Sequence, residues 1–276
     1  MPGIIEIIIN ILVFIAVLLI VYVYLLRSRI STWGAEEEAT QTLIGDDLAE
    51  AINATRAITI EAPISQVWKW VIQLGADRAG FFSYHFLERM LGYKMRDAAP
   101  TAEFSDMEVG RIIPTSIDES KSIIKYNFPV VAVEPGTAFV LKGWGAFVLR
   151  EVNPGRTRLI VRTHWCEAPH LVGKLMDLFG EAAHYIMERR MLMGLKFQIE
   201  NGTQVSSIVD ILWMLGMVLI GFGIAILIFF TGGVYAFLLS ILLGILWLYT
   251  LLMFDPLPQY SFGFFFLTIA AMLPVL

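Results

Sequence analysis

Three long apolar stretches constrain the fold of this chain more than any other feature. The first, Ile7–Leu26, contains 20 residues without a charged side chain. As a helix, a stretch of this length crosses the ~30 Å hydrocarbon core of a bilayer. Ile208–Phe230 and Val234–Phe254 are two further candidates, separated by a short break that contains Gly232 and Gly233. The mean hydropathy of +0.68 is high for a soluble protein and agrees with membrane-spanning segments.

The first stretch is predicted to be a retained anchor rather than a cleaved signal peptide. No basic residue precedes it, it is longer than the core of a signal peptide, and no small-x-small cleavage site follows it. Arg27 and Arg29 come directly after it, and positive residues favour the cytoplasmic side of a membrane. We therefore expect an integral protein of an inner or plasma membrane, with its N-terminus outside and its soluble domain in the cytoplasm.

The two C-terminal stretches form a predicted transmembrane hairpin. Arg189, Arg190 and Lys196 precede it, so the hairpin is expected to begin and end on the cytoplasmic side. After a break at Asp255–Pro258, Phe262–Leu276 has only 15 residues. This length leaves a short fourth span, a re-entrant piece and an interfacial segment all open. Three glycines of the hairpin either allow close helix packing or are ordinary transmembrane glycines: Gly216, Gly221 and Gly223.

The charged residues are concentrated in the middle of the chain. All 20 Lys and Arg residues lie between Arg27 and Lys196, and acidic residues accompany them to give a net charge of −5 for the chain. This balance argues against a nucleic-acid-binding surface, which would be basic. A single cysteine, Cys166, excludes an intrachain disulfide and a Cys-based zinc site. Residues 31–55 are polar and acidic, and we predict a linker in which Glu36–Glu38 form a solvated helix face.

The soluble part begins with the informative stretch Arg56–Gly92. Within it, Ala57–Ala62 alternates apolar and polar residues as a half-buried strand does. Pro63 suits a first helical position, and apolar residues at helical spacing follow it. Short strand-like segments then predict one curved antiparallel sheet, and a long helical pattern covers Pro169–Ile199. The candidate strands of this sheet are Val109–Ile117, Ser122–Phe128, Val130–Glu134, Thr137–Leu141, Ala146–Val152 and Thr157–Trp165.

Four segments carry a resemblance to a known superfamily. They are Arg56–Gly92, VAVEPGTAFVL (Val131–Leu141), PGRTRLIVR (Pro154–Arg162) and MERRMLMGLK (Met187–Lys196). Together they resemble the SRPBCC superfamily, which includes START lipid-transfer domains, pollen allergens and polyketide cyclases. The resemblance implies an α+β helix-grip domain, in which a curved antiparallel sheet grips a long C-terminal helix, here joined to α-helical transmembrane segments. It also implies a pocket for a hydrophobic ligand.

The predicted organisation has four parts. Residues 1–30 are an N-terminal transmembrane anchor and residues 31–55 an acidic linker. Residues 56–200 are the SRPBCC-like helix-grip domain, and residues 201–276 are a transmembrane hairpin with a short terminal membrane segment.

The sequence offers little catalytic chemistry. It has no Gly-rich phosphate loop, no HExxH and no nucleophile elbow. Glu181 and His184 form one Glu-x-x-His pair on the long helix, whereas di-iron bundles use this spacing twice. We therefore predict no catalytic residue, no metal and no cofactor. An enzyme of the cyclase or dehydratase type, which the superfamily invites, stays a third hypothesis.

The candidate ligand-binding residues come from polar positions among apolar ones. Arg162 and His164 share one face of the strand Thr157–Trp165. If that face looks toward the long helix, it places a cation at the floor of a mostly apolar cavity, the usual form of a small-molecule site. Arg78, Tyr84 and Trp144 are further candidates. In the alternative, Arg78 and Arg162 pair with acidic residues and hold the fold. Examples of such acids are Asp77, Glu88 and Glu188.

These patterns lead to two functional hypotheses. The first is a membrane-anchored protein that binds a hydrophobic, lipid-like molecule and has membrane lipids around it. The second is an accessory or scaffold subunit of a larger membrane complex, whose soluble domain is filled and binds no ligand. Aromatic residues spread through the soluble part fit either a cavity lining or a filled core: Trp68, Trp70, Phe81, Phe82, Phe86, Tyr126, Phe128, Phe139, Trp144 and Phe147.

Overall fold

The computed structural model describes residues 2–96, 107–122, 126–164, 170–230 and 232–274. The chain divides into two compact units. One contains Met1–Ile30 and Ser206–Leu276, and the other contains Ser31–Val205. The second unit confirms the α+β class, because it combines helices with an antiparallel sheet of six strands.

The helices of the described residues include three that are long and apolar enough to cross a membrane: Ile4–Ser31, Ser207–Phe230 and Val234–Met253. The first of these contains a π-helical turn, Tyr22–Leu26, that links its two α-helical parts. In chain order the α-helices are α1 (Ile4–Val21), α2 (Arg27–Ser31), α3 (Ile64–Val71), α4 (His85–Met90), α5 (Leu171–Asn201), α6 (Ser207–Phe230), α7 (Val234–Met253) and α8 (Pro258–Met272).

Within the unit that contains Ser206–Leu276, glycines set the spacing between helices. A Cβ added at Gly216 would lie 2.6 Å from the Cβ of Ser261, and one at Gly223 would lie 3.2 Å from Thr268. Both contacts join α6 to α8, and their order shows that these two helices run parallel. A Cβ at Gly221 would meet nothing within 4 Å. Gly216 and Gly223 therefore mark close helix packing, and Gly221 does not.

The sheet places the first and last strands side by side. Its order is β1-β6-β5-β4-β3-β2, and every neighbouring pair is antiparallel. The strands are β1 (Ile52–Ile60), β2 (Ile112–Pro114), β3 (Asn127–Glu134), β4 (Ala138–Leu141), β5 (Gly145–Asn153) and β6 (Arg156–His164). The predicted segments Ser122–Phe128 and Val130–Glu134 meet in one strand, β3, which continues through Pro129. Part of the first segment and Trp165 lie outside the described residues.

The period-2 geometry of the strands gives the sheet two buried faces. We call the face that packs against α3 and α5 the inner face. Its core contains Leu159 and Val161 of β6, together with Phe139 and Phe147 of β4 and β5. The opposite, outer face has a second core that includes Ile160.

Residues 31–50, here named the outer segment, cover part of the outer face. Ala35 is fully buried and Leu43 is 6% exposed, and both belong to the outer core. The backbone N–H of Ala57 on β1 donates to the carbonyl of Trp33 at 3.1 Å. The segment predicted as a linker is thus packed onto the sheet as part of the second compact unit, while the start of its acidic run, Glu36–Glu37, is exposed.

Helix α5 packs on the inner side of β1, close to its predicted range. The ammonium group of Lys196 donates to the carbonyl of Thr59 at 2.8 Å, which ties the end of the helix to the strand. Gly194 permits close approach of the loop before α4, because a Cβ there would collide with the carbonyl oxygen of Phe82. Gly202, in the left-handed conformation at φ 71°, ends the helix.

Candidate functional site

A cluster of polar side chains lies on the inner face between β1 and α5. Arg56 shares this face of β1 with Ile58 and Ile60, and its guanidinium donates to the carboxylate of Glu188 on α5. The side chains of Arg56 and Glu188 are 1% and 0% exposed. His184 lies one helical turn before Glu188, with 3.6 Å between its Nδ1 and the carboxylate. We call these three residues the inner polar cluster.

The histidine is the most accessible member of the inner polar cluster, since 26% of its side chain is exposed. Burial lowers the pKa of His184 below its ordinary value of 6.5, the carboxylate of Glu188 opposes that change, and Arg56 adds to it. The ring is therefore neutral at physiological pH, when it can donate from one nitrogen and accept at the other.

Trp144 joins the inner polar cluster to the aromatic core. Its ring centroid lies 6.0 Å from that of His184, with the two rings almost perpendicular. On its other sides it contacts Phe128 at 5.0 Å, Phe147 at 5.3 Å and Phe81 at 5.9 Å. An aromatic layer therefore continues directly from the polar cluster.

Two polar atoms of this region are buried without a hydrogen-bond partner among the residues that the structure describes. They are Nε1 of Trp144 and Oε1 of Glu188. Buried polar atoms are normally satisfied, so such atoms mark places where a ligand or water belongs.

Arg162 and His164 lie on the outer face, opposite the long helix. The Arg162 guanidinium holds the outer segment with three bonds, to Asp46 at 2.5 Å and to the carbonyls of Glu38 and Gln41 at 2.8 Å each. It also donates to the Thr55 hydroxyl on β1 at 3.0 Å. Arg162 thus pairs with an acid, as the alternative hypothesis expected, and the acid is Asp46, which was not among the examples named. The face of β6 that contains Arg162 and His164 does not look toward the long helix, so these two residues do not lie at the floor of a cavity on the inner face.

Two titratable groups near Arg162 on the outer face have shifted pKa values, His164 and Glu38. Burial lowers the pKa of His164 from 6.5, Asp46 opposes this at 3.8 Å, and Arg162 reinforces it. Burial raises the pKa of the Glu38 carboxyl, but the hydrogen bond and charge of Arg158 outweigh that effect and leave the pKa below 4.5. Each of these two pairs, His164 with Asp46 and Arg158 with Glu38, joins β6 to the outer segment.

Arg78 and Tyr84 lie on the inner side of the sheet, in the region that links α3 to α4. The guanidinium of Arg78 donates to the carbonyl of Ile72 at 2.6 Å, at the end of α3. Tyr84 is fully buried, and the guanidinium of Arg190 on α5 lies 5.8 Å above its ring. Among the predicted site residues, Trp144 contacts the inner polar cluster through the ring of His184.

An open cavity of about 460 Å³ lies on the outer side of the sheet. The outer segment and the turn between β3 and β4 form its walls, with Gly45, Thr137 and Arg150 among the lining residues. Within the described ranges, no three His, Cys, Asp or Glu side chains are grouped so that they could hold a metal ion.

Sequence reasoning gave Glu188 only a structural role and left Arg56 out. The signal for Arg56 was present, because it shares the apolar face of β1 with Ile58 and Ile60. His184 and Glu188 also lie at a spacing of four residues on one side of a helix. The sequence pattern could not reveal that α5 packs on β1. This packing brings Arg56 and Glu188, 132 positions apart in the chain, into contact.

Comparisons with known proteins add little to this geometry. No family model matches the chain, and no curated protein matches it. Among solved structures, the crystal structure of the protein SSP2350 from Staphylococcus saprophyticus is similar over 55% of this chain and 93% of that one. The sequence identity is 17% and the TM-score is 0.34.

Proposed function

We propose that the chain is a membrane-anchored protein whose α+β unit binds a hydrophobic, lipid-like molecule at the inner face. The observation that carries the proposal is the junction between an aromatic layer and the inner polar cluster. Small-molecule sites combine mostly apolar walls with a few placed polar groups. Here Trp144 supplies both, since its ring meets Phe128 and Phe147 while its indole N–H lies buried.

The helix-grip assignment belongs to the same proposal. A sheet that pairs its first strand with its last, and a long C-terminal helix against the inner face of β1, support it. In such an arrangement the space between sheet and helix is where a ligand would bind.

Membrane tethering gives the proposed function a physical advantage. Each methylene moved from water to an apolar site is worth ~0.8 kcal/mol. A domain whose chain continues at both ends into apolar helices stays near the bilayer and takes a lipid from it directly. The charge rule places this domain on the cytoplasmic side, since Arg27 and Arg29 follow the first apolar helix.

The test is native mass spectrometry of the intact protein after gentle extraction, with lipid analysis of what co-purifies. We expect one lipid-like molecule per chain, lost when Trp144→Ala opens the aromatic layer. Arg158→Ala, which removes a bond to Glu38 on the outer face, is the matched control and keeps the molecule. Absence of any bound molecule from the wild-type protein would contradict the proposal.

A second candidate function, an accessory subunit of a membrane complex, is favoured by one surface. Val172, Met176 and Phe179 lie on one side of α5, with 72%, 64% and 64% of their surfaces exposed. Replacing all three with Ser leaves the inner core intact. Under this hypothesis the triple variant loses a stably co-purifying membrane protein and keeps its unfolding temperature. If the wild type purifies without such a partner, this candidate fails.

A further inference from the structure

The two unpartnered atoms of the inner face have complementary hydrogen-bonding needs. Trp144 Nε1 can only donate a hydrogen bond, and the carboxylate oxygen Oε1 of Glu188 can only accept one. Both side chains are more than nine-tenths buried, at 8% and 1% exposure. Neither atom is satisfied by any other residue that the structure describes.

The two residues that carry these atoms contact the same side chain. The Trp144 ring lies edge-on to the His184 ring, and Oε2 of Glu188 lies 3.6 Å from the histidine Nδ1. Arg56 donates to this same Oε2, which leaves Oε1 as the oxygen without a partner. One acceptor and one donor are therefore provided by the two neighbours of a partly exposed histidine.

A ligand hydroxyl meets both needs, since it donates one hydrogen bond and accepts others. A carboxylate would accept from Trp144 but leave Glu188 unsatisfied, and it would place a second negative charge beside it. An alkane would satisfy neither atom. Phe81, Phe128 and Phe147 surround Trp144 and provide contacts for a hydrocarbon chain.

We infer that the molecule bound at the inner face is a neutral long-chain alcohol, whose hydroxyl is recognised by Trp144 and Glu188. This inference rests on the proposed function, because it needs a hydrophobic molecule at the inner face. It adds the chemical class of that molecule and the two residues that form hydrogen bonds with its polar group.

The test uses the full-length protein in detergent and two photoreactive probes, a diazirine-bearing hexadecanol and the matching hexadecanoic acid. Intact-mass measurement gives the amount of adduct, and peptide mapping gives its position. We expect the alcohol to label the inner face at least about tenfold more than the acid, because the acid buries an unpaired charge. Trp144→Phe keeps a ring and removes the N–H, so alcohol labelling should fall about fivefold.

Trp68→Phe is the matched control, because Trp68 packs edge-on against Phe139 in the same core. It should leave alcohol labelling unchanged. Equal labelling by both probes, or equal alcohol labelling of Trp144→Phe and Trp68→Phe, overturns the hydroxyl inference and leaves the binding function standing. If neither probe labels a peptide within residues 31–205, the proposed function itself is wrong.

Discussion

At the scale of single residues, two arginine–glutamate pairs of similar chemistry have very different surroundings. Arg56 and Glu188 are buried between β1 and α5, whereas Arg156 and Glu61 form a pair with 45% and 58% of their side chains exposed. Removing one partner of a buried pair leaves a charge in a poor solvent, while an exposed charge returns to water. The buried pair should therefore dominate the stability of this unit.

We expect Glu188→Leu to lower the free energy of unfolding by about 3–5 kcal/mol. For a unit of this size that corresponds to a fall of about 10 °C in unfolding temperature. Scanning fluorimetry of the purified protein measures it. The double variant Arg56→Met with Glu188→Leu should recover much of the loss, because no buried charge is left unpaired.

The exposed pair provides the control for this prediction. Glu61→Ala should cost less than about 1 kcal/mol, since surface pairs contribute little. A Glu188→Leu variant as stable as Glu61→Ala would show that the inner polar cluster is not buried as described.

Two histidines on opposite faces predict how stability depends on pH. The pKa values of His184 and His164 both lie below 6.5 in the folded chain. Between pH 6.5 and those lower values the unfolded chain binds more protons, so stability falls as the pH drops through this window. The pKa of Glu38 is lowered from 4.5, so this carboxyl group does not change its protonation, and does not affect the stability curve, above pH 5.

The prediction is tested by unfolding temperatures between pH 8 and pH 5. We expect His184→Gln and His164→Gln each to flatten the decline, and the double variant to flatten it further. Curves that keep the wild-type slope in both single variants would mean that neither histidine is buried in its neutral form.

At the scale of elements, the sequence predicted the long helix and several strands closely, because their apolar periodicity is strong. It placed the start of the first strand at Ala57, whereas β1 begins at Ile52. Thr55 and Arg56 interrupt the apolar pattern, yet both are buried, because Arg162 and Glu188 satisfy them. Local pattern cannot reveal such partners, since they come from distant parts of the chain.

The same reason explains why the sequence did not decide which side of β6 faces the long helix. Leu159 and Val161 alternate with Ile160 and Arg162, so both faces contain apolar residues. The outer segment decides the matter by supplying a carboxylate and backbone carbonyls to Arg162. Trp144 packs in the inner core, because a large aromatic at a strand turn packs on the face that holds the main core. Its role in ligand binding stays a prediction.

For the packing of α6 on α8, two glycines form a matched comparison. Gly216→Val inserts side-chain atoms against Ser261 and should lower the free energy of unfolding by about 1–3 kcal/mol, as overpacking does. Gly221→Val points into open space and should have little effect. Thermal unfolding in the same detergent compares them. Equal stabilities would contradict the close contact between these helices.

At the scale of the whole molecule, the α+β unit is joined at both ends to apolar helices. Ser31–Val205 forms one compact unit, preceded in the chain by the first candidate span and followed by the second. If each of these two spans crosses the membrane once, the end of the first and the start of the second lie on the side where the unit is. The positive residues beside them predict that this side is the cytoplasm.

Cysteine labelling of intact cells tests this topology. The single native cysteine is removed as Cys166→Ser, and Asn153→Cys is placed at the exposed turn between β5 and β6. We expect a membrane-impermeant maleimide to label the new cysteine only after the cells are opened. Labelling of intact cells would reverse the assignment and place the unit outside.

The docking of the outer segment has a consequence for the order of events during synthesis. Asp46 and the arginine that holds it, Arg162, are 116 residues apart. At a ribosomal rate of 5–20 residues per second, the segment waits roughly ten seconds for its partner strand to emerge. During that interval the anchor is already available to the membrane, while the acidic segment has no sheet on which to fold. The part of the domain that is made first can therefore dock only after the last strand of the sheet has been made.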